Sequence, residues 1–197
     1  MHPDESIPDI IEKKAMKATY KALCKYGYAD LTMKKIADES DRCKSTFHYH
    51  YDTKENLLVN FIQYLLEGFE ERMVPETEDP LEKLNGFIDR MLFGVGDEET
   101  TESFHTALLE IRSQAPYNEK FQEQITKNDE YILHITTNII QEGIEKGMFK
   151  DTDPKNTAIV LLSAIDGARA RQISTDRSAT EELRTALDWV IDELILR

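Results

Sequence analysis

The chain has 197 residues, of which 40% are hydrophobic, with 24 Lys and Arg against 38 Asp and Glu for a net charge of −14. That length fits one large domain or a small domain joined to a medium one, and its longest apolar runs, such as Ile159-Val160-Leu161-Leu162, are too short to span a bilayer. The acidic amino terminus MHPDESIPDI has no apolar signal core, and two cysteines, Cys24 and Cys43, are too few for a disulfide framework or a zinc knuckle, so a cytoplasmic protein with reduced thiols is expected.

The first predicted helix runs from about Asp9 to Tyr26. Ile11, Ala15, Ala18, Ala22 and Tyr26 recur at intervals of three and four, and Lys13, Lys14, Lys17, Lys21 and Lys25 lie mostly off that stripe. Gly27 falls just past its end. Thr32 is the expected N-cap of a short second helix whose small apolar face is Met33, Ile36 and Ala37. Ser40-Asp41 supplies turn chemistry. In the third helix Phe47 and Tyr51 share one face, which leaves Lys44, Ser45, Thr46, His48 and Tyr49 on the other. A short helix whose outer face is cationic and polar, with no acid, suits phosphates and base edges, and the segment reads as a helix-turn-helix.

A fourth helix is expected from about Thr53 to Met73, with Lys54 in its first turn. The proline- and acid-rich VPETEDP then ends it. Asp79-Pro80 caps a fifth helix carrying Leu81, Leu84, Ile88, Met91 and Leu92. Gly94 and Gly96 break the pattern. A sixth helix covers roughly Glu102 to Ser113, and a seventh about Asn118 to Lys146, which at 1.5 Å per residue is roughly 43 Å. Asp153 and Pro154 open the eighth, to about Ile173. Ser178-Ala179-Thr180-Glu181 reads as a capping box before the ninth, whose stripe is Leu183, Leu187, Val190, Ile191 and Leu194. No segment reads as a strand. The expected fold class is all-α, with residues 1–53 as a helix-turn-helix head and 54–197 as a larger helical body.

Charge distribution agrees. Residues 1–54 hold ten Lys and Arg against nine Asp and Glu, a balance of +1, so the other 143 residues carry −15. A protein with one DNA-facing end and an acidic body has this pattern, although an acidic body also suits a salt-rich cytoplasm.

The segment LTMKKIADESDRCKSTFHYHYDTKENLL, Leu31 to Leu58, resembles the DNA-binding motif of the TetR family of transcriptional regulators. The match runs without a gap through Thr32, Ile36-Ala37, Lys44, Thr46-Phe47, His48-Tyr49-His50-Tyr51, Asp52-Thr53-Lys54-Glu55 and Leu57-Leu58. It departs at the turn, where Asp41 replaces the usual Gly and Arg42 an apolar residue. The resemblance implies a DNA-binding set of Thr32, Lys34, Lys44, Ser45, Thr46, His48, Tyr49, His50 and Lys54, with His50 and Lys54 on phosphates. It also implies a homodimer through the eighth and ninth helices on a palindromic operator, and a repressor released by a small-molecule effector. Gly143, Gly147-Met148-Phe149 and Asp153-Pro154 are similar to the tail of TetR-like ligand domains. Aromatic and flexible apolar residues on the fourth to seventh helices would line an effector cavity: Phe61, Tyr64, Leu65, Phe69, Phe87, Met91, Phe104, Leu108, Tyr131 and Ile135. His105, Arg112, His134 and Asp166 would supply polar contacts.

Other classes are weaker. His48 and His50, two apart on a helix, diverge too far to chelate one metal. Glu102-x-x-His105 is half of a di-iron motif and lacks a correctly spaced partner. No nucleophile elbow, phosphate loop or dinucleotide fingerprint is present. Neither enzyme activity nor a metal or other cofactor is expected; the alternative reading is a helical small-molecule or metal-binding protein with a non-functional DNA-binding head.

Overall fold

A computed structural model describes the backbone of residues 7–40, 51–96 and 98–196, and the side chains of these residues apart from 7–11, 98, 194 and 195. Among the described residues there are nine α-helices and no strands: α1 (Ile7–Tyr26), α2 (Met33–Asp38), α3 (Lys54–Tyr64), α4 (Phe69–Met73), α5 (Pro80–Phe93), α6 (Glu98–Gln114), α7 (Glu119–Glu145), α8 (Pro154–Ser174) and α9 (Ala179–Val190). A 3₁₀ turn covers Ala115–Tyr117, and a π-helical turn, Ile191–Ile195, follows α9. No described helix is long and apolar enough to cross a membrane. The chain divides into two compact units: residues 1–67 with 103–125, and residues 68–102 with 126–197.

In the first unit, α1 presents Ala15, Met16, Ala18, Thr19, Ala22 and Leu23 inward. Small alanines on that stripe let neighbouring helices come close. Met16 and Leu23 fill the space with Ile36 of α2, Leu57, Leu58 and Phe61 of α3, Ala107 and Ile111 of α6, and Phe121 of α7. The buried Thr19 hydroxyl donates to the Ala15 carbonyl at 2.9 Å, which satisfies it within its own helix. Gly27 ends α1 in the left-handed region, φ +65°, where a side chain would be strained.

The second unit has its own core. Leu84, Phe87, Ile88, Met91 and Leu92 of α5 meet Ile135, Ile139 and Ile140 of α7, Ala158, Leu161 and Ile165 of α8, and Leu187 of α9. The Asp79 carboxylate accepts from the Leu81 amide at 2.8 Å, and Asp153 from Asn156 at 2.9 Å; each precedes a proline that needs no backbone partner. Lys83 reaches the Glu142 carboxylate at 2.7 Å and ties α5 to α7, while Arg184 of α9 grips Asp89 of α5.

Two expectations need correction. The helix expected to run from Thr53 to Met73 stops at Tyr64. The amides of Leu66 and Glu67 turn to carbonyls three residues back, Gln63 and Tyr64, and Gly68 then takes φ +59° before α4 begins at Phe69. The capping box before α9 is also absent: Ser178 makes no side-chain capping bond, and its ψ of 60° lies outside the extended geometry of a capping residue.

Candidate nucleic-acid interface

The described part of the head has two capped helix starts and several exposed lysines. Thr32, extended at φ −134°, caps α2 by accepting from the Lys35 amide at 3.2 Å. Thr53 does the same for α3, accepting from Asn56 at 3.1 Å. Each cap leaves other first-turn amides pointing outward, where anions are favoured. Lys34 is exposed on α2, and Lys13, Lys14, Lys17 and Lys21 are exposed along α1. Tyr51, half-buried against the first core, has its phenol pushed up to about 12, by burial first and the nearby Glu12 charge second.

Lys25, Lys35 and Lys54 each have a defined anchor. Lys25 pairs with Glu39 at 2.7 Å, which raises the ammonium and lowers the carboxyl from their ordinary values. Lys35 donates to the Asp30 carbonyl at 2.8 Å and sits 4.6 Å over the Tyr26 ring. Lys54 lies 4.3 Å over the Tyr28 ring and donates to its carbonyl at 3.3 Å. The Tyr28 amide in turn donates to the Glu110 carboxylate of α6 at 2.6 Å. Tyr28 and Glu110 escaped the sequence reading because their pairing spans 82 residues; only Gly27, which turns the chain there, left a local trace.

Lys44, Ser45, Thr46, His48, Tyr49 and His50 lie outside the described residues; of the expected set Thr32, Lys34 and Lys54 are described, and all three belong to the first unit. The expected effector residues are divided. Phe61, Tyr64, Leu65, Phe104, His105, Leu108 and Arg112 belong to the first unit, and Phe69, Phe87, Met91, Tyr131, His134, Ile135 and Asp166 to the second. Phe61, Phe87, Met91 and Ile135 are buried core residues. Phe104 packs against Tyr20 with its ring tilted, centroids 4.8 Å apart, and meets Phe61 edge-on at 6.4 Å; Phe69 meets Tyr131 at 6.4 Å. His134 and Asp166 are exposed, beside Asn138 and Arg169 of their own helices. An open hollow of about 420 Å³ in the first unit is lined by Thr53, Asn56, Tyr117 and Lys120 among others, and by none of the expected effector residues. Among the described residues no group of three or more His, Cys, Asp or Glu is gathered as metal ligands.

Two family models match. Residues 15–60 fit the bacterial regulatory proteins of the tetR family, and residues 80–196 fit the C-terminal domain of BetI-type transcriptional repressors. A TetR transcription regulator from Haloarcula marismortui is 40% identical, with a TM-score of 0.82 over 93% of this chain and 97% of that one. A protein from Saccharomonospora viridis, crystallised with choline, shares the fold at a TM-score of 0.80 and 19% identity, over 95% of this chain and 98% of the other. The uncharacterized HTH-type transcriptional regulator YhgD of Bacillus subtilis (strain 168) is 25% identical over 77% of this chain and 78% of its own. On these matches and this all-helical fold, the chain belongs to the TetR family of DNA-binding transcriptional regulators, repressors governed by small-molecule ligands.

Proposed function

We propose that this regulator represses from the cytoplasm as a homodimer, with residues 1–53 as its head and 54–197 as its ligand-binding and dimerisation domain. Each head sets Lys44, Ser45, Thr46, His48 and Tyr49 at bases or the groove edge, with Lys34 at the groove, His50 and Lys54 on phosphates, and Thr32 completing the DNA-binding set. The observation that carries this reading is the arrangement at α3: a capped helix start, with Lys54 held beside it. Such a terminus attracts a phosphate, and a lysine there adds a full charge. One recognition helix touches few base pairs, so specificity calls for two heads on half-sites about 34–36 Å apart or a multiple of that.

The dimer forms through α8 and α9. Val160 is 66% exposed, Ile159 42% and Trp189 62% in the single chain. A Cβ added at Gly167, one α8 face along from Val160 and Ala164, would meet nothing within 4 Å. An apolar face with small residues favours a neighbouring helix.

A small apolar or amphipathic effector, held by the helical domain, favours a dimer whose heads no longer match the half-sites. Lowering operator occupancy tenfold requires a preference for that state of about 1.4 kcal/mol beyond the crossover. The choline complex of the Saccharomonospora protein makes amphipathic cations sensible first probes.

The test is selection of fragmented genomic DNA from the source organism on the purified protein at two salt concentrations, followed by sequencing. Recovery of a few short palindromes that persist at the higher salt is the expected outcome. Diffuse recovery that vanishes with salt would refute sequence-specific binding.

A further inference from the structure

In the first unit, Lys54 is not a free surface lysine. Its ammonium rests on the face of Tyr28 and on the Tyr28 carbonyl, which uses one of its three donors and leaves the others for an anion. Its usefulness therefore depends on where residue 28 sits, and residue 28 lies in a loop between α1 and α2. Two contacts fix that loop from outside the head. The Glu110 carboxylate accepts the Tyr28 amide at 2.6 Å, and buried Phe121 meets the Tyr28 ring edge-on at 6.4 Å. The left-handed Gly27 turns the amide toward α6, and a Cβ there would come within 3.1 Å of a Glu110 oxygen.

We propose that Glu110 is a positioning residue for DNA binding: by holding the Tyr28 amide it fixes the platform that aims Lys54 at a phosphate. The proposal rests on the reading of Lys54 as a phosphate contact. It places one control of the head's electrostatics on α6, outside residues 1–53, so a displacement of that helix loosens a DNA contact without touching the recognition helix.

An ammonium held in place loses less conformational freedom when a phosphate arrives than a mobile one. Releasing residue 28 should therefore cost affinity that is electrostatic in origin. The experiment measures binding of a fluorescein-labelled mixed-sequence duplex by anisotropy across a series of salt concentrations. It compares the full-length protein with Glu110→Ala, Glu110→Gln, Lys54→Ala and the Glu110→Ala/Lys54→Ala pair. Glu110→Ala should weaken binding roughly fivefold per head and flatten the salt slope by up to about one per head, as Lys54→Ala does. The double variant should be no weaker than Lys54→Ala alone. Glu110→Gln, whose amide oxygen still accepts the Tyr28 N–H, should stay close to the parent and serves as the folded control.

Equal, additive losses from Glu110→Ala with and without Lys54 would overturn the proposal, because a merely structural role needs no lysine. If Lys54→Ala itself leaves affinity and slope unchanged, the phosphate reading fails, and the proposal with it. Normal behaviour of Lys54→Ala beside an inert Glu110→Ala would overturn the positioning role alone.

Discussion

Gly143 offers a sharp test of how the C-terminal domain is packed. A methyl group built there would lie 2.1, 2.3 and 2.7 Å from three ring carbons of Phe149, in a helix whose glycine the ring lies against. Carbon atoms rest at about 3.5–4.0 Å, so the ring would have to withdraw by more than about 1 Å. It has little room. Phe149 is 1% exposed, its amide and that of Met148 both donate to the Gly143 carbonyl at 3.0 Å, and its backbone bridges to Leu196. Overpacking costs about 1–3 kcal/mol, with a rigid ring at the upper end, and replacing Gly by Ala in a helix returns at most about 1 kcal/mol. Gly143→Ala should therefore lose about 2 kcal/mol net, which for a chain of this size lowers Tm by about 4–8 °C. Thermal and urea unfolding followed by circular dichroism would measure it. Phe149→Leu in the Gly143→Ala background should recover part of the loss, since the smaller side chain can yield. An unchanged or raised Tm for Gly143→Ala would refute the packing. That packing also gives a physical reason for the Gly143 and Gly147-Met148-Phe149 pattern noted in the sequence.

Asp153→Ala should cost about 1 kcal/mol in urea unfolding, because it removes the cap of α8, whereas Ser178→Ala should stay within about 0.5 kcal/mol, because that hydroxyl caps nothing; equal effects would contradict both assignments. The carboxyl of Glu39 is held low chiefly by its bond from Lys25, so its contribution is present above the ordinary carboxylate range and is lost as pH falls through the lowered value. Glu39→Gln should therefore be slightly less stable than the parent near neutrality, with the gap closing as pH falls below the ordinary carboxylate range and through the lowered value; a gap constant with pH would discount the pair. Val160→Asp should weaken dimerisation at least roughly 100-fold, read by sedimentation, and lose palindrome binding while the monomer's helicity persists; an intact dimer would move the interface elsewhere.

Much of this fold is written in local chemistry. Asp79-Pro80, Asp153-Pro154, Thr32 and Gly27 each do what their residue types dictate, since a cap or a left-handed turn needs only its own neighbours. The break after Tyr64 was also signalled, by Gly68, yet the apolar spacing of Phe61, Leu65 and Phe69 favoured a continuous helix. Periodicity cannot tell one long stripe from two short ones whose apolar residues enter different cores, and here Phe61 and Phe69 belong to different units. The capping box failed for a related reason. Its residue types permit the geometry, but the Thr180 amide and hydroxyl both reach the Gln172 side-chain oxygen at 3.4 Å instead. At the candidate site the motif names Lys34 and Lys54, but the anchor of Lys54 through Tyr28 and Glu110 is not legible in it, because no local pattern joins residues 82 apart.

Charge then bears on how the head must work. With a balance of only +1 over residues 1–54, and −15 over the rest, a general positive field cannot supply the affinity. At low salt the acidic domain opposes the approach to DNA, and at higher salt screening weakens repulsion and attraction together. What persists under both conditions is short-range: helix-start amides, base-edge hydrogen bonds, and ammonium groups whose place is fixed before a phosphate arrives. On that reasoning, lysines tethered over Tyr26 and Tyr28 suit an acidic DNA-binding protein better than a mobile cationic fringe would. A tethered charge gives little at long range and loses little when it docks, so binding by such a head rests on geometry, which an effector can disturb with a small displacement.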